Sequence, residues 1–212
     1  RVFQKLHSCM VGNSSAKAAL DMAIYDLLGQ QAGMPLVTFL GGYRDTLETD
    51  FTVSVNDAEE MAEDALGYVK SGFNVLKVKV GIDDIEKDID RIRAIRAEIG
   101  FDTKLRLDAN QGWEAKEAVR AIGQMEDAGL QIELIEQPVK AHDIEGLKHV
   151  TTHTYTPIMA DESVFSPKDA LQVLQLRAAD LINIKLMKAG GIYKALKITA
   201  LAESYGIECM TG

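Results

Sequence analysis

Two lysines, Lys77 and Lys79, interrupt the apolar run FNVLKVKVG (73–81); being two residues apart, they project from the same side of one strand. Further along, acidic side chains stand where apolar runs end: Asp108 and then Asn110 in RLDANQGW, Glu136 in IEQP, Asp161 and Glu162 in ADES. Lys185 in NIKLMKAGG closes the series. Carboxylates gathered at one mouth repel each other unless a hard divalent cation neutralises them, and oxygen-only ligands with room left for water or substrate suit Mg²⁺ best. The lysines on either side would then flank whatever the metal holds.

Each piece has a plainer reading. A V-K-V-K-V strand can be half-exposed with its lysines in water. Asp161 or Glu162 could cap the next helix, and Asp108 could open an Asx-turn before Gly112. The series as a whole is harder to reconcile with caps, because consecutive strand ends each present an ionisable group, and like charges in one mouth are costly unless they are used.

The elements that must position these residues alternate. Apolar, β-branched runs recur at DFTVSV (50–55), NVLKVKV (74–80), TKLRLD (103–108), QIELIE (131–136), PIMAD (157–161), LINIKL (181–186) and GIECM (206–210), starting 24 to 29 residues apart. Between them lie helical stretches: NDAEEMAEDALGYVKSG from Asn56, DDIEKDIDRIRAIRAEIG with Ile85, Ile89, Ile92, Ile95 and Ile99 on one face, and SPKDALQVLQL with Ser166 as N-cap. Repeated β-α units imply a parallel sheet, either open and doubly wound or closed as a (β/α) barrel. No Gly-rich phosphate loop follows the first strand, and the even repeat favours the barrel, whose strand ends line one face. The reading is α/β, strands one to seven of such a barrel; residues 1–45 lead into it through the helix SSAKAALDMAIYDLLGQQAG, and residues 46–212 form it. A barrel of this kind closes on eight strands, so the chain reads as a piece of a longer protein.

Composition narrows the partners. The 212 residues carry a net charge of −9, which argues against nucleic acid or an anionic membrane surface. Cys9 and Cys209, at opposite ends in apolar contexts, read as buried, reduced thiols of a cytoplasmic protein. His149 and His153 in HVTTH have zinc-like spacing, but the intervening threonines disfavour a helix and a surface connection fits better. Gly190 and Gly191 suit a tight βα turn or a phosphate at a helix start. Trp113 could line a pocket or pack beside the third strand, and DDIEKDID reads as a solvated helix start.

Lys77-x-Lys79, Asp108-x-Asn110, Glu136-Gln137-Pro138, Asp161-Glu162 and Lys185 with Gly190-Gly191 together resemble the enolase superfamily, in its muconate lactonizing enzyme subgroup. Within it, INIKLMKAGGI and ECMTG are similar to the dipeptide epimerases, such as the L-Ala-D/L-Glu epimerases. The resemblance runs from about residue 12 to residue 212. It implies a modified TIM barrel of enolase type, here without most of the N-terminal capping domain and without the last strand. It also implies Mg²⁺ held by Asp108, Glu136 and Asp161, with Asn110 and Glu162 in support, Lys79 and Lys185 as acid/base catalysts, and Thr52 and Lys77 in contact with substrate.

The implied chemistry is 1,1-proton transfer at the α-carbon of a carboxylate, through an enediolate that the metal stabilises. Lys77 would place a second positive charge beside Lys79 and so favour its neutral, basic form. A cycloisomerase, an o-succinylbenzoate synthase and an N-acylamino acid racemase share the motifs and stay open, as does a non-catalytic barrel fragment. The expected partner is a small carboxylate, a dipeptide above all, and a homo-oligomer is compatible with the sequence.

Overall fold

The computed structural model describes residues 1–42, 44 and 46–212, so Asp45, where the expected first segment ends, lies outside the described residues. In chain order the elements are α1 (Val2–Ser8), α2 (Ser14–Ala32), α3 (Leu36–Phe39), β1 (Phe51–Val53), α4 (Ala58–Lys70), β2 (Val75–Lys79), α5 (Ile85–Ile99), β3 (Lys104–Asp108), α6 (Ala115–Asp127), β4 (Ile132–Glu136), α7 (Ile144–His153), β5 (Ile158–Ala160), α8 (Pro167–Leu176), β6 (Leu181–Ile184), α9 (Leu186–Ala189), α10 (Ile192–Ser204) and β7 (Glu208–Thr211). Each strand expected from the sequence forms within its predicted run, except that β7 extends one residue beyond it to Thr211. No helix of the described residues is long and apolar enough to cross a membrane.

Two compact units result. The first comprises Thr49–Ser163 and Val173–Leu181. Its strands β1 to β5 pair in parallel in chain order. Register sets Thr52 beside Lys77, Lys79 beside Asp108, Asp108 beside Glu136, and Glu136 beside Met159. Leu76, Val78, Leu105 and Leu107 are fully buried. They leave the alternate positions Lys77, Lys79, Arg106 and Asp108 to share the other face, as a period of two requires. Between Leu105 and Arg106 the pairing slips by one residue, with Leu105 opposite Ile132 but Arg106 opposite Leu134. Arg106 then donates to Glu133 at 2.6 Å and Asp50 at 3.1 Å.

Helix α5 shows the phase the sequence predicts. Asp84 accepts from the Lys87 amide as N-cap, and Ile85, Ile89, Ile92 and Ile95 are buried. The same face, however, carries Asp88 and Arg91, both buried, so DDIEKDID is not wholly a solvated start. One helical turn separates Asp88 from Ile85 and Ile92, and the shared phase takes it inward. HVTTH is also helical, as the end of α7. Its threonines satisfy themselves by donating back to the carbonyls four residues earlier, Thr151 to Leu147 at 3.0 Å and Thr152 to Lys148. The His149 and His153 rings meet there at 4.1 Å, tilted by 36°, both on the exposed side.

The second unit comprises Arg1–Glu48, Val164–Gln172 and Ile182–Gly212. Phe3 stacks between Tyr25 and Tyr193 at 4.7 and 5.2 Å. Asp21, fully buried on α2, accepts from the Tyr193 amide at 3.2 Å. Gly191, with φ +113°, lies so close to the Asp21 side chain that a Cβ there would overlap it. Close packing of α10 on α2 therefore accounts for this glycine. Ser166 accepts from the Asp169 amide at 3.2 Å and starts α8, so Asp161 and Glu162 are not its cap. Cys9 is exposed at the end of α1 and Cys209 half-buried, contrary to the expectation of two buried thiols; α1 buries none of its residues, so the apolar neighbours of Cys9 provide no cover.

Two glycines, one after β3 and one inside α6, offer a test. A Cβ on Gly112 would collide with the Gly81 carbonyl, whereas one on Gly123, inside α6, meets nothing within 4 Å. Gly112→Ala should cost about 1–3 kcal/mol through forced backbone movement. Gly123→Ala should be neutral or stabilise by up to about 1 kcal/mol. Urea unfolding of both variants measures the contrast; equal effects would refute the close approach.

Candidate active site

Most of the predicted site residues belong to one unit, at the carboxyl ends of β2 to β5. Lys77 leaves β2 between two buried carboxylates, with Nζ 2.8 Å from Asp108 Oδ2 and 2.6 Å from Glu136 Oε2. Lys79, one turn of the pleat further on, donates to the same Asp108 oxygen at 2.7 Å and to Asn110 Oδ1 at 2.6 Å. The two ammonium groups thus share one carboxylate oxygen. Lys79 is the more accessible, its side chain 31% exposed against 11% for Lys77. A cleft of about 320 Å³ opens beside it, lined by Ser54, Val55, Gly81, Ile82, Ala109 and Asn110.

Burial by itself would push the Lys77 ammonium down, but the Glu136 charge and the hydrogen bonds to Asp108 and Glu136 outweigh it and hold its pKa above the ordinary lysine range. Stability from this pairing is complete below the unfolded-state pKa of lysine and is lost only as pH rises through the higher folded value, so Lys77 stays charged at any ordinary pH. The expectation that Lys77 acts on Lys79 as a bare like charge is corrected accordingly. Its charge is compensated by two carboxylates in direct contact.

Asp108 also does what the plainer reading proposed, since its Oδ1 accepts from the Asn110 amide at 3.0 Å in an Asx-turn. That turn places Asn110, at φ +43°, over Lys79. Asn110 Nδ2 then reaches Glu162 Oε1 at 3.1 Å, while Glu162 Oε2 is buried with no hydrogen-bond partner among the described residues. Thr52 is exposed beside Lys77 in the register. Asp161 is fully buried just past β5. Among the described residues no group of three or more His, Cys, Asp or Glu side chains is set to hold a metal, so Asp108, Glu136 and Asp161 are not assembled as a ready three-ligand cluster. Lys77 bridges Asp108 and Glu136 with its ammonium. His149 and His153 belong to no such group either. Lys185 belongs to the other unit, half-buried after β6, where it forms the N-cap of α9.

Gln137 stands in the Glu136-Gln137-Pro138 motif, and its positioning role is not legible from the sequence. Completely buried at φ +40°, it accepts at Oε1 from the Asp161 amide at 2.9 Å and the Ser163 amide at 3.0 Å. Its Nε2 donates to the Val139 carbonyl at 2.9 Å and Ser163 Oγ at 2.8 Å. One amide therefore ties the end of β4, where Glu136 stands, to the segment that carries Asp161. An amide between Glu136 and Pro138 suits that role, because only a side chain with both donor and acceptor can satisfy opposed backbone groups. Trp113 is buried and lines no part of this cleft.

With this geometry in place, the wider relationships are informative. Residues 60–212 match the enolase C-terminal domain-like family, and residues 1–41 match the mandelate racemase/muconate lactonizing enzyme N-terminal domain. The chain belongs to this enolase-type family, and its α/β fold is that of the family's barrel. It is 63% identical to the L-Ala-D/L-Glu epimerase of Bacillus subtilis (strain 168) over all of its own length and 58% of that protein, and 53% identical to the hydrophobic dipeptide epimerase of Enterococcus faecalis over 99% of its own length and 59% of that one. It superposes on the substrate-liganded Bacillus subtilis epimerase with a TM-score of 0.98, covering 100% of this chain and 59% of that one. On the Enterococcus faecalis V583 dipeptide epimerase complexed with Mg and L-Leu-L-Tyr the TM-score is 0.95, at 51% identity, covering 99% of this chain and 60% of that one. The chain thus spans under two thirds of the length of these relatives.

Replacing Gln137 by Leu strands two buried amides and a carbonyl, and should destabilise the protein by roughly 3 kcal/mol or more. Gln137→Glu, which keeps the acceptor, should cost less. Chemical denaturation of the two variants tests the link; a neutral Gln137→Leu would remove it.

Proposed function

We propose that the protein is a Mg²⁺-dependent dipeptide epimerase, an isomerase that inverts the α-carbon next to a carboxylate by removing its proton and returning one from the other side. The observation that carries this reading is Lys79, a partly exposed amine at a strand end, held by Asp108 and Asn110 beside a cleft and next to buried carboxylates. The relatives named above support the substrate class. Separate family matches for residues 1–41 and 60–212 support reading the chain as a segment leading from a capping domain followed by barrel.

The residues fit a hard divalent cation by donor chemistry. Asp108 and Glu136 are buried, stand on adjacent register-paired positions and already hold a cationic group at 2.6–2.8 Å; Asp161 lies two residues beyond the register partner of Glu136. Glu162 Oε2 leaves a further buried oxygen without a hydrogen-bond partner among the described residues. Asp108, Glu136 and Asp161 would hold Mg²⁺, which when bound offsets the negative charge that grows on the substrate carboxylate as the α-proton leaves. Lys77 provides a fixed positive charge beside the same carboxylates, and Asn110 fixes where the Lys79 nitrogen lies. One of Lys79 and Lys185 removes the α-proton of an epimer while the other, protonated, delivers a proton to the opposite face to give the second epimer, with the roles exchanged in the reverse direction, and Thr52 and Lys77 contact the substrate.

Proton NMR of each dipeptide epimer in D₂O with the full-length protein tests this. Lys79→Ala should abolish α-proton exchange in one epimer and spare it in the other, Lys185→Ala should show the mirror pattern, and neither should epimerise. Glu136→Gln should lose turnover in both directions along with Mg²⁺ affinity. If both lysine variants spare the same epimer, the two-base reading fails.

A further inference from the structure

Asp88 is a fully buried acid, and nothing in the proton-transfer scheme uses it. Its Oδ2 accepts from the Gly81 amide at 2.8 Å and the Trp113 indole at 3.4 Å; its Oδ1 accepts from Arg91 at 3.2 Å. Arg91, itself buried, donates onward to the Asn56 carbonyl at 2.9 Å and to Asp83 at 2.5 Å. Asn56 follows β1, Gly81 and Asp83 follow β2, and Trp113 follows β3. One ion pair thus gathers the loops after three successive strands.

What those loops carry makes the arrangement matter. Gly81 is two residues past Lys79 and adopts φ +84°, where a Cβ would come within 2.6 Å of the Ala109 carbonyl. Ala109 separates Asp108 from Asn110, and Gly112 lies against Gly81. Asn110 and Gln111 both hold left-handed backbone, at φ +43° and +68°, a conformation that non-glycine residues keep only when their surroundings enforce it. The amides of Gln111 and Trp113 are fixed in turn on the carbonyls of Gln137 and Pro138. Asp88 grips this stack from beneath at Gly81 and Trp113. Burial also pushes its carboxyl above the usual range in spite of the Gly81, Trp113 and Arg91 partners, so holding it there costs stability.

We propose that Asp88 is a positioning residue: through the Gly81 amide and the Trp113 indole it locks the loops after β2 and β3 together, and so fixes the Lys79 amine against Asp108 and Asn110. This rests on the epimerase reading and adds to it a residue that touches no substrate. Its mark is asymmetry. Loosening this stack should slow the proton transfers of Lys79 and leave those of Lys185 alone, whereas a residue that only stabilises the fold would affect both epimers in proportion to the folded fraction.

The experiment is epimer-resolved α-proton exchange in D₂O, with the full-length wild-type protein, Lys79→Ala, Asp88→Ala and Asp88→Asn, alongside urea unfolding. In Asp88→Ala the epimer that Lys79→Ala silences should exchange about 10²-fold more slowly, the effect of a roughly 1 Å misplacement of a reacting group. The other epimer should be unchanged. Asp88→Asn keeps an acceptor for Gly81 and Trp113 and gives up the acceptor for Arg91, so it should show a smaller loss, about tenfold, in the same epimer only. If Asp88→Ala does not fold, the asymmetry in Asp88→Asn decides. Equal losses in both epimers, or none in either variant, overturn the positioning role. Absence of exchange in the wild-type protein, or no asymmetry in Lys79→Ala, overturns the epimerase reading instead.

Discussion

The site depends on one ion cluster, in which Lys77 joins Asp108 to Glu136 while Lys79 leans on the same Asp108 oxygen. Buried charges are tolerable only when they are paired and hydrogen-bonded, and each member of this cluster meets that requirement through another. The consequence is a shared constraint: losing Lys77 would break an ion pair of both carboxylates, and losing Asp108 would break an ion pair of both lysines. The apolar faces of β2 and β3, with Leu76, Val78, Leu105 and Leu107 completely buried, supply the rigidity that makes such a cluster affordable.

Around the cluster, positioning is done by groups that carry no chemistry of their own. Gln137 ties the end of β4 to the start of the segment with Asp161, using all its hydrogen-bonding capacity on backbone and one hydroxyl. The left-handed Asn110 lets a single side chain bridge Lys79 and Glu162. These are satisfied amide networks in a region of low dielectric, where a misplaced donor costs more than at the surface.

The sequence displayed the strand and helix periods clearly, and hence the α/β fold and the strand-end residues that the structure brings together. Lys77 and Lys79 were visible because lysines two apart in an apolar strand must share a face. Gln137 and Asp88 were harder. An amide beside a glutamate has no period to announce it, and Asp88 was hidden among the acids of DDIEKDID although its helical phase, one turn from Ile85 and Ile92, was available to show that it turns inward. In HVTTH the threonines' own bonds to the preceding turn accompany a helix that their propensity disfavours. The Lys77 bridge between Asp108 and Glu136 has no signature in the spacing of the strand-end acids, because it depends on which strands lie side by side.

The slip between β3 and β4 has a meaning that a list of contacts hides. Counted from the pair Leu105 and Ile132 in an unbroken ladder, Asp108 would face Ile135, and the acid of β4 would point to the apolar side. The extra residue acts as a phase shifter. It lets Glu133 and Glu136, three apart and so opposite in parity, both serve the polar face, one holding Arg106 and the other Lys77. Deleting a single residue from β4 would therefore invert which of its side chains the site receives, whereas changes of length in the loops between strands would leave that parity intact.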